Sequence, residues 1–276
     1  MPTLLRTWNL FHGRAVGTDG RIAANGRLQE MVRRVAREGS PAVVCLQEVP
    51  PALLPRLADW SGMDVYAAIA QPASLGPLPI PATLAQRVTD LAPATLRAAF
   101  SGQANAILAQ PALRATEHAE LHLNEPGFVN QTAALLGLDP IARVAWGRER
   151  RVAQALRLRL PDGRSLRLVA THATSFPSDP AVPDAEVARA AAWLERLAAA
   201  DDLAVLAGDL NVPAAASPAL QALAAEGYSA PGPWIDHILV RPGGERLQGV
   251  TWRDQARATA GGLLLSDHSP VEVTIA

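Results

Sequence analysis

Short apolar runs of strand length recur along this chain, at residues 3–9, 42–48, 64–70, 104–109, 152–160, 165–172, 203–209, 235–240 and 270–275, with helical patterns between them. Strands interleaved with helices confine it to an α/β fold. The clearest helices are Asn25 to Glu38, with Leu28, Met31, Val32 and Val35 on one face and Gly39-Ser40-Pro41 as a stop, and Asp184 to Ala199, with Val187, Ala191, Leu194 and Leu197 on one face. Both suit outer layers over a sheet. Along Val152 to Leu160, Leu156, Leu158 and Leu160 share one side while Arg157 and Arg159 share the other. Strands that are apolar on one side predict two sheets packed face to face, with helices outside.

The 276 residues are long enough for one large core, and no linker divides them. We read a single domain over 1–276 with insertions at about 71–102 and 122–148. The first insertion begins Gln71-Pro72-Ala73-Ser74-Leu75-Gly76-Pro77 and then carries Leu84, Val88 and Leu91 at helical spacing. It reads either as a lid or as a helix packed on the edge of the fold. The second contains Val129, Ala133, Leu136, Ile141 and Val144. All 25 basic residues are arginine, and the net charge of -1 argues against a broadly basic nucleic-acid binder while leaving room for a local arginine grip on a phosphate ester. Cys45, in Val43-Val44-Cys45-Leu46, reads as a small core residue. The start shows no signal-peptide pattern and no apolar run is long enough to span a bilayer, so the expectation is a cytoplasmic protein without stable membrane insertion. No obligate protein partner is indicated.

Polar residues cluster where those strands end. Asn9 follows the first run, Glu48 the second, Asp209 and Asn211 stand in Ala207-Gly208-Asp209-Leu210-Asn211, and Asp267 in Ser266-Asp267-His268. Charge at the edge of a buried strand is costly unless it meets a cation or a partner. Hard divalent ions take one or two carboxylates, water and phosphate oxygens, a supply that Glu48 and Asp267 fit, with Asn9 close by. No Cys or His pair at ligand spacing suggests structural zinc. In Trp234-Ile235-Asp236-His237-Ile238-Leu239-Val240, Asp236 shares the buried side of Ile238 and Val240 and needs a partner, for which His268 is the natural candidate. His172 shares the side of Leu166, Leu168 and Ala170, where a satisfied core histidine is the simpler reading.

Together these residues resemble the endonuclease/exonuclease/phosphatase superfamily, the fold shared by DNase I-like nucleases, abasic-site endonucleases, sphingomyelinases and inositol polyphosphate 5-phosphatases. The motifs stand in family order: Thr7-Trp8-Asn9, Leu46-Gln47-Glu48-Val49, Asn105-Ala106-Ile107-Leu108, Thr171-His172, Gly208-Asp209-Leu210-Asn211, Ile235-Asp236-His237-Ile238 and Ser266-Asp267-His268. The resemblance implies a four-layer αββα sandwich of two mixed, mainly antiparallel sheets. It makes Glu48 the main ligand of Mg2+ or Mn2+, with Asn9 and Asp267 completing the metal environment directly or through water. Asp209 prepares the attacking water, Asn211 donates to the phosphate, His268 contacts the phosphate under the hold of Asp236, and His172 matches a phosphate-binding position.

The implied activity is metal-dependent hydrolysis of a phosphodiester by in-line attack of water. The alternatives are a DNA or RNA nuclease specifically, a phosphomonoesterase for a small molecule or lipid head group, and a non-catalytic binding member. Thr171-His172 is followed by Ala173-Thr174-Ser175 instead of the commoner Leu, a departure that bears on substrate choice. Further substrate contacts are expected from His12 and Arg14 in Phe11-His12-Gly13-Arg14, from Asn105, and from Arg150 or Arg151 in Gly147-Arg148-Glu149-Arg150-Arg151. For Arg14, a solvated loop arginine is the competing reading.

Overall fold

The structure, a computed structural model, describes residues 2–76, 78–91, 98–232 and 234–276. The strands of the two large sheets are, in chain order, β1 (Thr3–Asn9), β2 (Val43–Val49), β3 (Asp64–Gln71), β4 (Gln103–Ala109), β5 (Arg114–His122) and β6 (Val152–Arg159). Then come β7 (Ser165–His172), β8 (Leu203–Asp209), β9 (Asp236–Arg241), β10 (Arg246–Thr251) and β11 (Val271–Ile275). The principal helices are α1 (Leu28–Arg37), α2 (Ala82–Leu91), α3 (Pro126–Leu136), α4 (Pro140–Arg148), α5 (Ala181–Leu197) and α6 (Pro218–Ala225). The chain forms two compact units, residues 2–111 with 248–275, and residues 112–247 with Ala276.

The first unit is built on a six-stranded mixed sheet of order β10-β11-β1-β2-β4-β3. Its β1 runs parallel to β2, Leu5 opposite Val43 through Asn9 opposite Gln47, and antiparallel to β11, Thr3 opposite Ile275. Helix α1 covers it: Leu28, Met31, Val32 and Val35 are buried with Trp8, Val44, Leu46, Ala106 and Leu108. Each of those large side chains contributes about 1.5–3 kcal/mol relative to exposure. Helix α1 starts three residues later than its pattern predicts, because Gly26 is left-handed and the Arg27 N–H donates to the Gly13 carbonyl.

The second unit carries a five-stranded mixed sheet of order β9-β8-β7-β6-β5, in which only β7 and β8 pair in parallel. The parallel pair is joined through α5, as a crossover requires. Val187, Ala190 and Leu194 of α5 and Leu220 and Leu223 of α6 pack on Ala153, Val169, Ala204, Leu206 and Leu239. Helix α5 begins at Ala181, before Pro183, since proline is tolerated in a first turn whose N–H groups have no intrahelical partner.

Two expectations shift. In the first insertion, residues 77 and 92–97 lie outside the described residues; the helix expected there is α2, but Leu84 and Leu91 point outward and Ala85 and Thr89 are the buried pair. The small Ala85 allows close approach, and Thr89 closes its hydroxyl onto the Ala85 carbonyl at 2.9 Å. The second insertion is two helices, with Asp139 capping α4 through the N–H groups of Ile141 and Ala142. Val129 and Ala133 are buried with Trp146, whereas Ile141 and Val144 are exposed. No helix among the described residues is long and apolar enough to cross a membrane.

Candidate functional site

In the first unit, the polar residues gather where β1 and β2 end. Leu46 faces Ala106 and Val49 faces Ala104, so Gln47 and Glu48 together span the single position opposite Asn105. Such a bulge re-aims a side chain. Here it is Glu48, held in the left-handed region at φ 54°. Asn9 Nδ2 donates to Glu48 Oε1 at 3.3 Å, and Asn9 Oδ1 accepts the Phe11 N–H at 2.9 Å. Phe11 and His12 are also left-handed, at 46° and 53°. That turn buries His12 with Nε2 3.3 Å from Glu48 Oε2.

Ser266, left-handed at 63°, laces the second motif to β1: its hydroxyl donates to the Asn9 carbonyl at 2.7 Å and accepts from the His268 N–H at 3.1 Å. Trp8 Nε1 donates to the His268 carbonyl at 2.9 Å. Burial pushes the Asp267 carboxyl above its ordinary range; His268 pulls it back, and the negative charge on Glu48 adds to the rise. Two carboxylates close enough to oppose each other's ionisation suit a divalent cation. Arg14 is buried, its guanidinium 5.1 Å from the Phe11 ring centroid, so it is not a solvated loop arginine. Asn105 is buried on β4.

In the second unit the other expected residues meet. His172 and Asp209 are register partners across the parallel β7–β8 pair, with Nε2 3.5 Å from Asp209 Oδ2. Asp209 is in turn the partner of Asp236 across β8–β9, with carboxylate oxygens within 4.8 Å. The close approach depends on Gly208, at φ 139°, where an added Cβ would lie 1.8 Å from the Thr171 carbonyl oxygen. Asp209 Oδ1 accepts the Asn211 N–H at 3.0 Å, and Asn211 Nδ2, on a residue at φ 51°, donates to the Ala173 carbonyl at 2.9 Å. His237, on the opposite side of β9, is buried with Nε2 3.2 Å from the Val212 carbonyl, and burial pushes its imidazole down.

Arg151, the arginine of its segment that reaches inward, is buried with one guanidinium nitrogen 3.0 Å from His172 Nδ1. The same guanidinium nitrogen is 3.4 Å from Nε2, and because a guanidinium can only donate, it anchors the ring through whichever nitrogen accepts. Glu149 Oε2 accepts a second Arg151 N–H at 2.7 Å. Arg150 is exposed and lines a separate hollow of about 270 Å³ with His122, Asn124 and Glu125.

One residue escaped the sequence reading. Glu186 of α5 is wholly buried and accepts from Trp146 Nε1 at 2.6 Å, the Thr174 N–H at 2.7 Å and the Thr174 hydroxyl at 2.8 Å. It fixes the segment after His172, and burial pushes its carboxyl up against the pull of those donors. The available signal was a carboxylate in the buried row Val182, Glu186, Ala190.

Among the described residues, six non-glycine residues have positive φ: Phe11, His12, Ser40, Glu48, Asn211 and Ser266. All but Ser40 lie in these segments. Left-handed non-glycine backbone costs on the order of 1–3 kcal/mol per residue and gathers at functional positions.

Residues 7–268 match the model of the Endonuclease/Exonuclease/phosphatase family. No curated protein is found to match the sequence. Among solved structures, the chain is similar to an endonuclease/exonuclease/phosphatase from Bacteroides vulgatus, at 14% identity and TM-score 0.66, with 100% of this chain and 99% of that one covered. It is similar to truncated TDP2 of Caenorhabditis elegans, at 16% and 0.60, covering 100% and 97%. It is similar also to a mannosyl-6-phosphatase of Bacteroides thetaiotaomicron, at 15% and 0.61, covering 99% and 100%. These likenesses show the fold, a mixed α/β fold of the DNase I-like kind.

Proposed function

The chain belongs to the Endonuclease/Exonuclease/phosphatase family, and on that premise we propose that it is a divalent-metal phosphoesterase that hydrolyses a phosphodiester. The observation that carries the reading is Glu48, which a bulge and a left-handed backbone present between Asn9 and His12 at a cost a merely structural carboxylate has no reason to bear.

In this reading Glu48 is the main ligand of Mg2+ or Mn2+, with Asn9 and Asp267 completing the set directly or through water. Held by these residues, a divalent ion would supply positive charge to the phosphoryl and leaving oxygens. Asp209 orients or deprotonates the attacking water, its carboxylate held by the Asn211 N–H and faced by His172 Nε2 at 3.5 Å. Asn211 has a second amide hydrogen to offer a phosphoryl oxygen beyond the one given to Ala173. His268 contacts the phosphate. Arg151 anchors the ring of His172 beside Asp209.

The test is incubation with a bis-aryl phosphodiester, DNA and mannose 6-phosphate, each with Mg2+ or Mn2+. Hydrolysis of a diester that is lost in Glu48→Gln and Asp209→Asn supports the reading. The double variant should be no slower than the worse single one, because groups that serve one phosphate are non-additive. A steep fall of binding with salt marks a polynucleotide substrate, a shallow one a small ester. Absence of hydrolysis on every ester, or activity unchanged by Glu48→Ala, overturns it.

A further inference from the structure

We propose that Nε2 of His12 is a ligand of the same cation as Glu48, so that the site takes a first-row transition ion of the Mn2+ to Zn2+ series in preference to Mg2+. The inference rests on the reading of Glu48 as a metal ligand.

His12 stands three residues beyond Asn9, buried, with Nε2 3.3 Å from Glu48 Oε2. Two donors bound side by side to one ion at about 2.1 Å are roughly 3 Å apart, so the pair already stands at ligand spacing. The other carboxylate oxygen, Oε1, is taken by the Asn9 amide nitrogen, and the Asn9 oxygen faces the Phe11 N–H. Asn9 thereby steadies the carboxylate from the Oε1 side, and the imidazole is the donor that stands on the Oε2 side. Two consecutive left-handed residues carry His12 there, and Gly13 follows where a Cβ would press within 3.0 Å of Leu28. A hydrogen-bonding partner for Glu48 would not need a nitrogen ligand's freedom from protons, and the two accounts part at the metal. Mg2+ prefers an all-oxygen shell, while a neutral imidazole nitrogen raises affinity along the series towards Zn2+.

The full chain is loaded with Mn2+ and examined by pulsed electron paramagnetic resonance for 14N modulation from a bound imidazole. Modulation is expected in the wild type and in His268→Gln, and its loss in His12→Gln. His12→Asn is the second variant, because asparagine tolerates the left-handed turn and keeps the fold. By titration calorimetry, Co2+ affinity should fall in both His12 variants by at least about tenfold, the loss that even a partner behind a ligand produces, with Mg2+ affinity changing less. Modulation that is absent from the wild type, or that survives His12→Gln, overturns the inference. Mn2+ binding and hydrolysis without 14N modulation sinks this ligand alone. Failure to bind any divalent ion sinks it together with the phosphoesterase reading.

Discussion

The Glu186 carboxylate receives both the backbone N–H and the hydroxyl of Thr174, two residues after His172, at 2.7 and 2.8 Å. Burial raises its pKa above the ordinary 4.5, so the native state holds a proton there more tightly than the unfolded chain. The stability this supplies is fully present below about pH 4.5 and is lost as pH rises through the native value. Urea denaturation of wild type and Glu186→Gln across pH 4 to 8 should show the wild-type advantage shrinking with pH. A constant difference would refute the assignment.

Arg151→Met removes the guanidinium that anchors the His172 ring. Imidazole 15N–1H spectra should show a single ring tautomer in the wild type and a mixture in the variant. Diester hydrolysis should fall by up to about a hundredfold, the loss expected if displacement of the ring costs one donor to the phosphoryl oxygens.

Glu48 separates backbone cost from chemistry. Glu48→Gly should be more stable than Glu48→Ala by about 1 kcal/mol, reversing the usual preference for alanine, because only glycine accepts φ 54° without strain. Both variants should lack metal-dependent hydrolysis. Chemical denaturation with a parallel activity assay decides it.

Gly208→Ala should cost more than about 4 kcal/mol or prevent folding, since its Cβ would meet the Thr171 carbonyl at 1.8 Å. Gly20→Ala is the control, because its φ is also positive at 76° but nothing lies within 4 Å of the added atom. Its loss should stay near 1 kcal/mol, measured by thermal or urea unfolding.

Strands β1, β2, β7 and β8 were legible because burial on both sides writes them as continuous apolar runs, and the polar residues that end them were legible as interruptions. Strands β5 and β10 were not: both are largely exposed edge strands, and Arg114–His122 carries no apolar alternation to betray it. Nor does anything in Glu48 or Phe11 announce a left-handed backbone, which glycine or asparagine would have signalled. The burial of His12 and Arg14 depends on the turn those angles create. Arg151 was among several arginines in one run, and only pairing of β6 with β7 selects it over Arg150.

The pairing of β1 with β11 sets Thr3 against Ile275, and so has a consequence for synthesis. Strands β7 and β8 and the helix between them emerge as one contiguous stretch and can close early, as local contacts do. The flank of β1 that β11 will occupy stays open until the ribosome has delivered some 260 further residues, an exposed template for misplaced strands. Completion of the sheet that bears Asn9 and Glu48 is therefore a late event in the life of each molecule.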